Sequence, residues 1–436
     1  MGFLRALSSG VSGLKGHQTM MDVIGNNISN INTIGFKSGR VTFSEAFAQT
    51  LRNSNQPQTS LGGTNPVQVG LGIQVNTVDT QFSQGNIEST SNVTDLALQG
   101  NGFFIVKQNG KQLYTRSGQF SLDANGKLVN AGSGAIVQGK LASNGVIPSG
   151  NNIQDIVIPT DIKSPAQATT AVKFSGNLSA SSEVNTDPVN NLPDGSTTTG
   201  SAVVYDSLGN KYTVTVKYTK TAKDPNQAWD WTASIPDPAD PTGATSLPVG
   251  NGSVTFNTDG SLLTPDPTTP PQLTFGPYNG ADAVTINVNF GDVGKFTGLT
   301  ASQGNSSVAA KETNGYGLGS LNNITIETDG TIRGIFTNGT LQTLGQVMVA
   351  DFNNPGGLTR VTGSMYDFSG NSGVPQIGAA GSVNSSQVLS NSLEQSNVDL
   401  AEEFTKMIIA QRGFQANAKV ITSSDEFMQE IVNIKR

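Results

Sequence analysis

Apolar residues at the two ends of the chain recur in alternating steps of three and four, the spacing that lines up side chains along one stripe of an α-helix. At the front the series is Leu4, Leu7, Val11, Leu14, Gln18, Met21, Gly25 and Ile28. At the back it is Leu400, Phe404, Met407, Gln411, Phe414, Ala418, Ile421, Asp425, Met428 and Val432, with a second apolar set, Val420, Phe427 and Ile434, on another face. A helix apolar on two sides needs more than one neighbour. One such stripe does not offset the backbone entropy of ordering about thirty residues, and an isolated helix of this length is marginal in water. The pattern therefore predicts ends that fray in the free chain and become helical when packed on each other and on further copies. A single intramolecular helix pair capping a β-domain is the simpler alternative. The polar interruptions Gln18, Gln411 and Asp425 favour a multi-helix packing whose register they set.

Between the ends the period drops to two. Ile73–Val78, Phe103–Val106 and Leu113–Arg116 read as strands, and Asn109-Gly110 between the last two is a strong hairpin signal. A further hairpin joins Phe120–Leu122 to Lys127–Val129 through Asp123–Gly126. Strands continue at Val203–Asp206, Tyr212–Tyr218, Trp229–Trp231 and Val284–Phe290, and return at Ile324–Ile326, Thr331–Phe336 and Leu344–Ala350. Asn-rich residues 25–37 stop the first helix, with Gly35 as a left-handed terminator. Residues 41–66, rich in Gln, Asn, Ser and Thr, read as a linker or an arm touching a neighbour. The expected organisation is a terminal helical coiled-coil domain (1–37 with 397–436), a linker or arm (38–70), an inner β-domain (71–145 with 303–390) and an outer β-domain (146–302). The fold class is mainly β with α-helical coiled-coil termini, elongated and nested, later segments pairing with earlier ones.

Composition narrows what such a chain can do. Only 13% of the 436 residues are charged, about half the usual share, so the surface is wetted by uncharged polar groups that let identical copies approach without strong repulsion. A net charge of −7 with no basic cluster argues against nucleic acid and anionic membranes. No apolar run is long enough to insert in a bilayer, and Gly10, Ser12, Gly13, Lys15, Gly16 and His17 interrupt any cleavable signal core. The absence of Cys removes disulfides and thiolate sites.

No catalytic, metal or cofactor site is expected. His17 is the sole histidine and takes an exposed position in the first stripe. Asp329-Gly330, Asp259-Gly260 and Asn125-Gly126 lack the alternating carboxylates of a calcium loop and read as hairpin turns. Gly100-Asn101-Gly102 leads into a strand, not a helix, which removes a phosphate cradle. Glu402 and Glu403 point apart near a helix start, favouring its dipole and not a carboxylate pair.

Residues 22–37, Asp-Val-Ile-Gly-Asn-Asn-Ile-Ser-Asn-Ile-Asn-Thr-Ile-Gly-Phe-Lys, closely resemble the N-terminal signature of the bacterial flagellar rod and hook axial proteins. Residues 393–400 followed by Met407-Ile408 and 411–419 resemble that family's C-terminal signature. The chain length, residues 204–210 and residues 345–358 are similar to hook-type members. One departure is Gly413 before Phe414, a glycine that softens the helix. The resemblance implies a non-enzymatic, self-assembling subunit, exported unfolded through the flagellar type III apparatus without cleavage to an extracellular site. It further implies a short curved tube that works as a universal joint transmitting torque, with terminal helices lining the channel. The partners implied are further copies, the distal rod, the hook cap, the hook–filament junction and the export apparatus. The assembly contacts are expected at Leu4, Leu7, Val11, Leu14, Met21 and Ile28 with Phe404, Met407, Phe414, Ile421 and Met428. A distal-rod or junction subunit is the alternative within the family, and a secreted β-rich adhesin the alternative outside it.

Overall fold

The computed structural model describes residues 2–57, 62–150, 152–185, 196–223, 226–238, 240, 245–278, 280–382 and 385–434, with side chains from Arg5 onward. It is mainly β, with one N-terminal and one C-terminal helix, α1 (Gly2–Ser29) and α2 (Leu400–Ile434). The chain forms two compact units. One holds residues 1–160, 324–334 and 342–436, and the other holds residues 161–323 and 335–341. The second unit thus begins and ends about fifteen to twenty residues later in sequence than the 146–302 expected for an outer domain.

In the first unit α1 ends in a turn closed by Gly35, whose φ of +67 only glycine adopts without strain. A Cβ there would also stand 2.5 Å from the Ser117 backbone nitrogen. Within residues 38–70, expected as a linker or an arm, strands Gly39–Glu45, Ala48–Arg52 and Val67–Gly70 belong to a β-ribbon. Strand β1 (Gly39–Glu45) pairs antiparallel with β4 (Ile73–Thr80), and β2 (Ala48–Arg52) with β3 (Val67–Gly70). The ribbon forms because Val41, Thr42 and Phe43 face Val78, Thr77 and Val75 across the ladder, and cross-strand β-branched and aromatic pairs stabilise a ladder however polar its neighbours. Its base rests on α1, where Ile73 N donates to Ser12 Oγ at 3.2 Å.

Beyond the ribbon, later strands close on earlier ones in reverse order. Ser392–Glu394 pairs with Ile87–Ser89, Gln387–Ser390 with Leu96–Gln99, and Leu341–Asp351 with Ile136–Leu141 and Phe103–Gln108. Phe103–Gln108 and Lys111–Thr115 form the Asn109-Gly110 hairpin, both turn residues at positive φ as a two-residue turn demands. Edge-to-face rings of Phe103, Phe352, Tyr114, Tyr366 and Phe82 fill the core on one side of this sheet.

The second unit contains two five-stranded sheets. One is the antiparallel run Thr197–Tyr205, Lys211–Ala222, Gln227–Pro236, Ser246–Phe256 and Leu262–Thr264. The other is built around Ala171–Asn177, which is flanked by Ser307–Thr313 and Val284–Asn289. Alternation places Trp229 and Trp231 inward, and with Tyr218, Phe174 and Phe290 they share one core.

Candidate assembly surface

α1 and α2 lie side by side and run in opposite directions. A Cβ on Gly10 would meet Ile421 at 3.1 Å, one on Gly13 would meet Asn417 at 2.6 Å, and one on Gly413 would meet His17 at 2.5 Å, while Asn27 bonds Glu403 at 3.0 Å. The α1 stripe that meets α2 is therefore Gly10, Gly13, His17, Met20, Ile24 and Asn27, one residue out of phase with the series expected from the sequence. Gly10 and Gly13 on α1 and Gly413 on α2 let the two backbones approach closely along this part of the seam. Leucines at those places would hold the helices apart. His17, expected exposed, is half-buried here, its ring against Gly413 and 6.1 Å from that of Phe43, with Nδ1 buried and without a hydrogen-bond partner among the described residues. Gly413 is thus the counterpart of a ring rather than a soft spot in the helix.

The buried and half-buried positions of α2 include 403, 407, 410, 414, 417, 421 and 424. Of the residues expected as assembly contacts, Met407, Phe414 and Ile421 belong to this stripe and are half-buried, whereas Phe404 and Met428 are 48% and 45% exposed. On α1, Leu7, Leu14, Met21 and Ile28 are half-buried and Val11 is exposed; the side chain of Leu4 lies outside the described residues. Gln18, Gln411 and Asp425 all face solvent, so none sets the register of this helix pair. Two further apolar sets stay open on α2: Leu400, Phe404 and Ile408 at intervals of four near its start, and Val420, Phe427, Ile431 and Ile434 at seven, four and three on another side of the helix, every one of them exposed.

Polar groups fasten the helices to the β-structure. Asp399 caps α2, its Oδ1 accepting from Ala401 N at 2.8 Å. Glu403, buried, accepts from Asn27 Nδ2 and from Lys406 Nζ at 2.9 Å. Desolvation opposes the charge on Lys406, but Glu403 and Glu402 outweigh it and hold the ammonium above the ordinary lysine range. Where the two ends of the chain meet, Glu394 is fully buried. It accepts from Lys37 Nζ at 2.6 Å, Gly85 N at 2.8 Å and Arg116 Nη1 at 3.4 Å. Burial pulls Lys37 below the ordinary lysine range, with Glu394 opposing. Asn397 joins the same place, accepting from Ser38 N at 2.8 Å and donating to Gln81 O at 2.9 Å.

Over essentially its whole length the chain is similar to curated proteins named flagellar hook protein FlgE. It is 38% identical to that of Borreliella burgdorferi, covering 99% of this chain and 100% of the relative, and 36% identical to that of Treponema pallidum over the same shares. The Salmonella typhimurium protein is 33% identical, again over 99% and 100%. The chain belongs to the flagellar hook protein family. Family descriptions fall on successive parts of this hook-family chain: flagella basal body rod protein on residues 7–37, flagellar hook protein FlgE/F/G D1 domain on 97–180, flagellar basal body protein FlaE D2 domain on 177–316, and flagellar basal body rod FlgEFG protein C-terminal on 389–434. A crystal structure of Helicobacter pylori flagellar hook protein FlgE2 aligns over 71% of this chain and 100% of its own, at 16% identity and a TM-score of 0.49. In this hook-family chain, Lys37 and Glu394 lie within the two signature segments, yet periodicity gave no reason to join them. A lysine and a glutamate in a chain so poor in charge were the available signal.

Proposed function

We infer that this chain is a structural subunit of the bacterial flagellar hook, polymerising through the apolar faces of α1 and α2 that its own fold leaves open. The carrying observation is the two exposed apolar sets on α2, Leu400, Phe404 and Ile408 on one side and Val420, Phe427, Ile431 and Ile434 on another. Apolar side chains exposed on two sides of one helix favour burial against more than one further surface. The arrangement suits further helices of neighbouring copies as occupants, giving a nested coiled coil around a channel, with the β-structure on the outside of the tube. Uncharged polar outer surfaces exchange partners and bridging waters at low cost, which suits a curved tube that turns as a universal joint. The subunit is exported unfolded through the flagellar apparatus, uncleaved, and its contacts at the tube ends are the distal rod, the cap and the filament junction.

Electron microscopy of the purified chain and of a version lacking residues 1–37 and 397–436 tests this reading. Curved tubes from the first and dispersed particles from the second are expected. Tubes from the shortened chain would overturn it.

A further inference from the structure

The stretch that delivers α2 to the β-structure, residues 391–397, reads Asn-Ser-Leu-Glu-Gln-Ser-Asn. Leu393 is its one buried apolar side chain, and three residues of ladder, Ser392–Glu394 against Ile87–Ser89, hold it together with single backbone bonds such as Gln395 N to Asn86 O and Gly35 N to Glu394 O and the polar contacts of Asn397. So short and polar a ladder specifies register weakly, because a shift of two residues keeps every side chain on its own face. Glu394 changes that. Its carboxylate is met by Lys37, by the backbone of Gly85 and by Arg116, three donors from three separate segments of the chain, and both cations are as buried as it is. A shift of two in either direction puts Ser392 or Ser396 in the place of Glu394 and leaves two buried cations with no anion. A buried ion pair adds little net stability over apolar packing, but an uncompensated buried charge is strongly unfavourable. Such a cluster separates right from wrong registers by far more than it stabilises the right one.

We propose that the Lys37–Glu394–Arg116 cluster is a register lock that fixes where the C-terminal strand enters the β-structure and, through it, where α2 begins beside α1. The chain has no cysteine, so spin labels on Ala124→Cys, in an exposed turn, and Glu402→Cys, exposed in the first turn of α2, report that position by pulsed EPR. The parent chain gives one distance. In a Lys37→Met/Arg116→Met/Glu394→Leu background a second population appears, displaced by about 7 Å, two residues of strand rise, while the circular dichroism of the folded chain is retained. Should the triple variant not fold, Lys37→Met/Glu394→Gln carries the same measurement. In Glu394→Gln alone, amide exchange at Gly85 and Gln395 rises at least tenfold and that of residues 103–106 is unchanged. A single unshifted distance in a folded variant, or unaltered exchange at Gly85 and Gln395, overturns the proposal. Polymerisation is not read in any arm, so failure here leaves the hook-subunit reading standing.

Discussion

Single residues hold the junction between helices and β-structure, and each does so for a different physical reason. Gly35 is required by a positive φ and by the backbone of Ser117 at Cβ distance. Replacing it with alanine should lower unfolding stability by about 1–3 kcal/mol, read from the urea midpoint. Asn27 satisfies the buried Glu403 carboxylate while its Oδ1 accepts from Gly39 N at 2.9 Å. Asn27→Ala leaves Gly39 N unpaired and Glu403 with Lys406 alone, and should cost about 1–3 kcal/mol in the same measurement. Lys37 supplies a pH signature. Its folded pKa lies below the ordinary lysine value of 10.5, so between the lowered value and 10.5 the unfolded chain binds more protons and stability must rise with pH. The difference in urea midpoint between the parent and Lys37→Met should therefore move in the parent's favour as pH is raised toward 10.5. A difference that moves the other way would contradict the burial argument.

At the level of elements, the heptad period was legible from the sequence but its phase was not. Periodicity marks which side chains are apolar, and leucines outweigh glycines in any such count. Packing instead chose the face where Gly10 and Gly13 permit close approach, and that choice turned Val11 and Phe404 outward. The consequence is a separation of roles that can be measured. Phe404→Asp alters an exposed position and should change monomer stability by no more than about 0.5 kcal/mol, yet stop tube growth in turbidity and microscopy. Phe414→Asp, at a half-buried position of the stripe facing α1, should weaken the helix pair as well, visible as lost helical circular dichroism. Of the ribbon, β4 was legible as a strand at Ile73–Val78, whereas low hydrophobicity left residues 41–66 open between a linker and an arm, because β1 and β4 are paired by cross-strand Val, Thr and Phe contacts that a scan along one segment does not reveal.

For the whole molecule, scarcity of charge has the widest reach. With 13% charged residues, contacts between copies are expected to rest on apolar and uncharged polar groups, whose strength depends little on ionic screening. The critical concentration for polymerisation should therefore change less than roughly threefold between low and physiological salt, as read by sedimentation. A steep dependence would point to ion pairs between copies instead.

The sequence by itself determined the helical ends, the β-rich middle, the hairpin turns at Asn109-Gly110 and Asp123–Gly126, the absence of thiol chemistry and, through its two signature segments together with its length and residues 204–210 and 345–358, the resemblance to the hook family. These follow from local periodicity, turn conformation and composition, which act over a few residues. Only the tertiary structure decided which faces of the helices are closed and which stay open, that residues 39–52 pair with residues 67–80 in a ribbon, and that Lys37 and Arg116 share Glu394. The last of these joins residues 357 and 278 positions apart in the chain. Interactions over such separations are set by close packing and by the need to compensate buried charge, and neither leaves a period in the sequence.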